Sequence, residues 1–155
     1  AEWVGPYDDE KLGFNKVAKF YYYPGWWEGG PQVDMFVNQK SFDALPAEFK
    51  AALEVATAEA TLDMIAKYDA VNPPALRRLV AAGTQLRPFP RDVMEACFKA
   101  ANESYAENAA KNPRFKKVYE AWSKWRDEQL LWFRVAESQF DSFMQVAGRS
   151  AAGRK

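Results

Sequence analysis

Tyr23-Pro24-Gly25-Trp26-Trp27-Glu28-Gly29-Gly30-Pro31 is the stretch from which the fold is read. Paired tryptophans and one carboxylate stand between turn formers on both sides, so the segment reads as a loop. Immediately before it, Lys19-Phe20-Tyr21-Tyr22-Tyr23 is β-prone and stops at Pro24. After it, Val33, Met35 and Val37 alternate with Asp34 and Phe36. The expectation is two short strands flanking a Trp-rich loop.

Beyond Pro46 the composition shifts once, and the chain reads as successive helices. Pro46 suits a helix start, and Phe49, Leu53, Ala56, Ala60, Met64 and Tyr68 step by three or four along one face. Asn72-Pro73 and Asn112-Pro113 repeat a single start signal, an Asn able to cap free amides followed by a Pro that needs none, and predict two further helices. Between them, Gln85 to Phe89 reads as a short strand. Arg91 to Asn108 carries Val93, Cys97, Ala101 and Tyr105 at fours, which marks another amphipathic helix. The expected order is β-β-α-α-β-α-α.

From Pro113 to Ala147 no residue breaks the helical pattern. At about 1.5 Å per residue this is a rod of roughly 50 Å, against about 40 Å for a compact globule of this chain length. Leu130-Leu131-Trp132-Phe133 is apolar on all sides and therefore expects cover on all sides. A core helix of an ordinary bundle is one reading. The favoured one is a helix that bridges two lobes of one molecule or exchanges with a second subunit.

Composition removes several functions. Lys plus Arg and Asp plus Glu both total 21, so no net field draws nucleic acid or an anionic membrane surface. No His is present, which excludes histidine general bases, Ser-His triads and His-ligated zinc. Cys97 is alone and leaves the redox compartment open. No apolar run approaches the roughly 20 residues of a membrane span. The opening Ala1-Glu2-Trp3-Val4-Gly5-Pro6 lacks Met and reads as the middle of a longer polypeptide.

The chemistry is expected in two segments that each set a carboxylate beside Trp in a turn, one with Glu2 and Trp3, the other with Trp26, Trp27 and Glu28. Carboxylates against large rings are costly unless a cation or donor satisfies them. Without His or paired Cys, Glu2 and Glu28 suggest a hard cation of the Na⁺ or Ca²⁺ type, completed by loop carbonyls, and are expected to approach one another. Tryptophans that merely pack, with Glu28 facing water, are the plain alternative. A glycosidase acid/base pair is the enzymatic one, and needs an apolar pocket free of cations. No G-x-x-x-x-G-K-S/T, G-x-S-x-G or G-x-G-x-x-G motif occurs. Arg77-Arg78 and Lys116-Lys117 read as solvated faces.

Glu2-Trp3-Val4-Gly5-Pro6-Tyr7-Asp8-Asp9, followed by Lys16 to Pro31, resembles the later half of a TRAP-type (tripartite ATP-independent periplasmic) transporter solute-binding protein, in the branch that binds 2-oxo acids and lactate. The similarity extends over Phe36-Val37-Asn38, Leu45-Pro46 and the Trp-rich terminal helix. It implies the C-terminal portion of a two-lobed α/β periplasmic binding protein, non-enzymatic, that holds a small carboxylate with a cation between lobes and delivers it to membrane subunits. Glu2, Trp3 through its carbonyl, and Glu28 would hold the metal. Trp3, Trp26, Trp27 and Glu28 would meet the solute.

The resemblance also implies a first lobe carrying a carboxylate-clamping arginine, for which Arg77, Arg78, Arg87 and Arg91 do not match. Residues 1–45 are expected to carry the cleft motifs, 46–111 the helical part of the same lobe, and 112–155 a lobe-bridging or dimerising helix and tail. A helical dimerisation module with purely structural tryptophans is the alternative function.

Overall fold

The computed structural model describes residues 2–30 and 33–152; Ala1, Gln32, 153–155 and the Pro31 that ends the loop motif lie outside the described residues. Contacts divide the chain into two units, Ala1–Glu95 and Ala96–Lys155.

The first unit holds α1 (Pro6–Leu12), a 3-10 turn (Phe14–Lys16), β1 (Phe20–Tyr23), α2 (Gln39–Asp43), α3 (Ala47–Ala81) and β2 (Gln85–Pro88). The Pro6-Tyr7-Asp8-Asp9 stretch opens α1 because Pro6 is preset for a first helical position and two acidic residues sit in the first turn. The second expected strand does not form: 33–38 is irregular, and Phe36 is 91% exposed. Alternation fits a strand only where a partner ladder exists, and no described strand lies beside it. The strand that does form with β1 is β2, parallel to it, with Phe20 opposite Gln85 and Tyr22 opposite Arg87. A parallel pair requires a long crossover, here α2 and α3. Arg87 lies over the Phe20 ring at 4.3 Å, and Tyr22 stacks on Phe89 at 5.1 Å.

The helix start expected at Asn72-Pro73 is also absent. α3 runs on through Pro73 and Pro74 to Ala81, although each proline removes a helical donor. The Asn72 side chain caps a different helix, its Oδ1 accepting the Tyr7 N–H of α1 at 3.0 Å. α3 ends in a Schellman turn, with Gly83 N–H donating to Val80 O and Thr84 N–H to Leu79 O. α1 lies along α3 and is also held by Arg78, whose Nε and Nη2 grip the Glu10 carboxylate. Arg78 thus makes an ion pair on a solvated face, and its hydrogen bonds keep the Glu10 carboxyl below its ordinary value.

The second unit contains most of α4 (Arg91–Lys111), with α5 (Pro113–Val135) and α6 (Glu137–Ala152). Asn112 caps α5 as expected, accepting from Arg114 and Phe115 N–H at 3.0 and 3.1 Å, worth about 1 kcal/mol. Tyr105 meets Tyr119 at 5.3 Å, Tyr119 stacks on Phe115 and Trp122 at 5.8 Å each, and Arg126 sits over Trp122. This aromatic ladder joins α4 to α5.

The unbroken terminal helix is corrected: it breaks at Ala136, whose ψ of −90° leaves helical space although its N–H still bonds Trp132 O. No Pro or Gly marks the spot. Leu131 is 68% and Trp132 59% exposed, so the chain itself does not supply the cover expected for 130–133.

Among the described residues the buried apolar side chains are Ala75 and Leu79, joined by the polar Asp9 and Thr84. Asp9 Oδ2 accepts the Tyr21 hydroxyl at 2.5 Å, tying α1 to β1, and its Oδ1 has no partner among the described residues. Burial and this bond push the Tyr21 hydroxyl far above its ordinary value. The folded state therefore favours neutral Tyr21, and its contribution is complete below about pH 10 and lost as pH rises beyond it. Tyr21→Phe, which strands both oxygens of a buried carboxylate, is expected to lower neutral-pH stability by about 1–3 kcal/mol. It should also flatten the alkaline loss of stability; urea denaturation of both proteins from pH 7 upward checks both outcomes.

Candidate functional site

α3 is the element on which the two Trp-carboxylate segments converge. Tyr68 and Asn72 receive Gly5 at the end of the first segment: a Cβ placed on Gly5 would lie 3.0 Å from Asn72 Oδ1 and 3.3 Å from Tyr68 Cε1. Gly5 itself is buried. The second segment ends in Gly29 and Gly30, where an added Cβ would meet nothing within 4 Å. These two glycines, Pro6, Tyr68, Asp69 and Asn72 line one cavity of about 560 Å³, closed on its apolar side by Met64, Ile65 and Leu76.

Glu2 is exposed in irregular chain ahead of α1, and Trp3 is 60% exposed. Trp26 and Trp27 pack edge to face with centroids 5.4 Å apart, about 40% exposed each, so neither is a core residue. Glu28 follows them, exposed, in irregular chain. The five predicted residues thus occupy loop surface, and the ends of their two segments meet at one cavity.

Among the described residues no three His, Cys, Asp or Glu side chains gather as a metal cage. Glu2 and Glu28 offer hard carboxylate oxygens, and the irregular backbone beside them offers carbonyls outside any helix or strand. Carboxylate and carbonyl oxygens are the donor types that a hard cation takes, about six to eight at a time.

Tyr68, Asp69 and Asn72 escaped the sequence reading as site-forming residues. Asn72-Pro73 was the available signal, spent on the wrong helix. Tyr68 had been placed on an apolar stripe, yet its hydroxyl reaches Asp8 Oδ2 at 3.5 Å, and burial followed by that carboxylate raises its pKa. Of the arginines weighed for the clamp, Arg78 pairs with Glu10 and Arg91 with Glu95.

Comparison with known proteins matches residues 1–112 to the family described as bacterial extracellular solute-binding protein, family 7. The monocarboxylate 2-oxoacid-binding periplasmic protein of Nostoc sp. is 50% identical over 143 residues, 92% of this chain and 39% of that protein. A crystal structure of a TRAP transporter solute binding protein from Bordetella bronchiseptica is 48% identical, with a TM-score of 0.93 over 97% of this chain and 45% of that one. It is a mixed occupancy dimer with copurified calcium and picolinate in one active site and the other site apo. The chain spans under half the length of these relatives. Its helices and parallel strand pair match the corresponding part of an α/β binding protein. With the family match extending from the first Trp-carboxylate segment to the end of α4, this chain belongs to the bacterial extracellular solute-binding proteins of family 7.

Proposed function

We propose that this chain is the C-terminal portion of the periplasmic solute-binding subunit of a TRAP transporter. It captures a small 2-oxo acid or lactate-like carboxylate together with Na⁺ or Ca²⁺ and delivers it to membrane subunits. The carrying observation is that Pro6, at the end of one Trp-carboxylate segment, and Gly29 and Gly30, at the end of the other, line one cavity together with Tyr68, Asp69 and Asn72 of α3. The 2-oxoacid binding of the Nostoc relative and the calcium in the Bordetella structure support the same reading. In it, Glu2, the Trp3 carbonyl and Glu28 hold the cation, and Trp3, Trp26, Trp27 and Glu28 wall the solute. The arginine that clamps the solute carboxylate comes from the upstream lobe that the longer relatives possess.

α5 and α6 carry the second part of the proposal. Trp132, Phe133, Phe140 and Phe143 leave 59%, 39%, 64% and 67% of their surface open, more apolar area than a monomer commonly shows in one region. A second copy of the chain, laid across these helices, is the proposed cover, and the dimeric Bordetella relative supports it.

Calorimetry tests the solute reading. The polypeptide at its natural length is expected to bind pyruvate or lactate with calcium and to lose that binding on chelation. Glu28→Gln should weaken it at least about tenfold. This chain alone, without the arginine clamp, should bind roughly a hundredfold or more weakly; micromolar pyruvate binding by it would overturn the assignment of the clamp. Light scattering tests the dimer. A mass near twice 17.7 kDa is expected, and Trp132→Glu with Phe133→Glu should give monomers or aggregates. A one-chain mass for the unmutated protein at micromolar concentration would return α5 and α6 to an ordinary packing role.

A further inference from the structure

We propose that Asn72 is the positioning residue of the Glu2–Trp3 binding segment. From within α3 it caps the start of α1, and so fixes the point from which Glu2 and Trp3 leave the fold. The inference rests on the reading of Glu2 and Trp3 as cation- and solute-binding residues.

The first amides of a helix need acceptors from outside it, and Gly5, at the N-cap of α1, has no side chain to supply one. Asn72 Oδ1 does so from 65 residues away, accepting the Tyr7 N–H at 3.0 Å. The Asp9 N–H is taken by Gly5 O at 2.9 Å. Gly5 has φ −159°, extended backbone open to any residue. What excludes a larger residue there is room, since its Cβ would stand 3.0 and 3.2 Å from the two amide heteroatoms of Asn72. The Gly5 backbone therefore lies directly on the Asn72 amide.

Upstream of this seat the chain has little hold of its own. Val4 is 46% and Trp3 60% exposed, so where the Trp3 carbonyl and the Glu2 carboxylate point is decided at Gly5. The site on α3 that supplies the seat is costly. Asn is a weak helix former, and Pro73 and Pro74 after it withdraw the donors that the Asp69 and Ala70 carbonyls would receive in an unbroken helix. Asn72 also lines the cavity with Gly29 and Gly30, so one side chain serves the anchor of the first segment and the wall beside the second.

Nitroxide labels on Val4→Cys and Leu62→Cys, with Cys97→Ser, read the position of the segment against α3 as a distance distribution. Asn72→Leu keeps the volume but loses the acceptor, and should broaden that distribution with helix content retained. Asn72→Asp keeps the acceptor and should leave it narrow. Gly5→Ala, which forces a Cβ onto Asn72, should shift its mean and provides a second variant if Asn72→Leu does not fold. In the polypeptide at its natural length, Asn72→Leu should weaken calcium binding roughly tenfold, and Asn72→Asp should preserve it. An unchanged distribution in Asn72→Leu and Gly5→Ala, or a broadened one with unchanged calcium affinity, overturns the proposal. If the unmutated protein binds no calcium, the cation reading of Glu2 and Trp3 fails, while the distance distributions still decide whether Asn72 positions the segment.

Discussion

The seating of α1 on α3 is the contact on which the rest of the first unit depends. Four consecutive residues of the short helix Pro6–Leu12 have distant partners: Tyr7 through its amide on Asn72, Asp8 near the Tyr68 hydroxyl, Asp9 under Tyr21, and Glu10 on Arg78. A seven-residue helix would not persist alone in water. Tertiary partners hold it, and it in turn links α3 to β1. The surface pair Arg78–Glu10, with side chains 53% and 28% exposed, adds geometry more than energy. Because the two Trp-carboxylate segments flank this arrangement, their placement follows from it.

A second constraint is the surplus of apolar surface. In the second unit Leu130, Leu131, Trp132, Phe140 and Phe143 are each 59% or more exposed. In the first unit the buried apolar side chains among the described residues are Ala75 and Leu79, little hydrophobic burial to set against the entropy of ordering its helices. The aromatic ladder along α5 and the i,i+4 ion pairs of α4 organise local structure and leave this deficit in place. Under the proposed function, cover comes from the upstream lobe and from a second copy of the chain.

Sequence reading succeeded where a signal and its consequence lie within one turn of chain. Asn112-Pro113 caps α5 because the amides it satisfies are two and three residues on. The same dipeptide at Asn72-Pro73 misled because its amide belongs to Tyr7, reached only through the packing of two helices. Lys19–Tyr23 and Gln85–Phe89 were legible as strands separately, while their pairing was not. Val33 to Val37 had the alternation of a strand with no ladder beside it. Ala136 carries no mark of the break it makes. At the site, the Trp-carboxylate motifs stood out by composition, whereas Tyr68, Asp69 and Asn72 sat inside a helical pattern and became site-forming only once α1 was laid on α3.

The charge arithmetic of the proposed site explains why solute and cation belong together. A carboxylate solute approaching Glu2 and Glu28 would add a third negative charge where two already stand, and like charges at close range disfavour one another strongly away from bulk water. A hard cation between them reverses the sign of that local field and shares its oxygens between protein and solute. The tryptophans sharpen the effect. In the proposed site, rings such as Trp26 and Trp27 that exclude water from the carboxylates would raise the cost of leaving them unpaired and strengthen their hold on the cation. In such a site the cation's affinity rises with the solute present and the solute's rises with the cation, because linkage makes their coupling reciprocal.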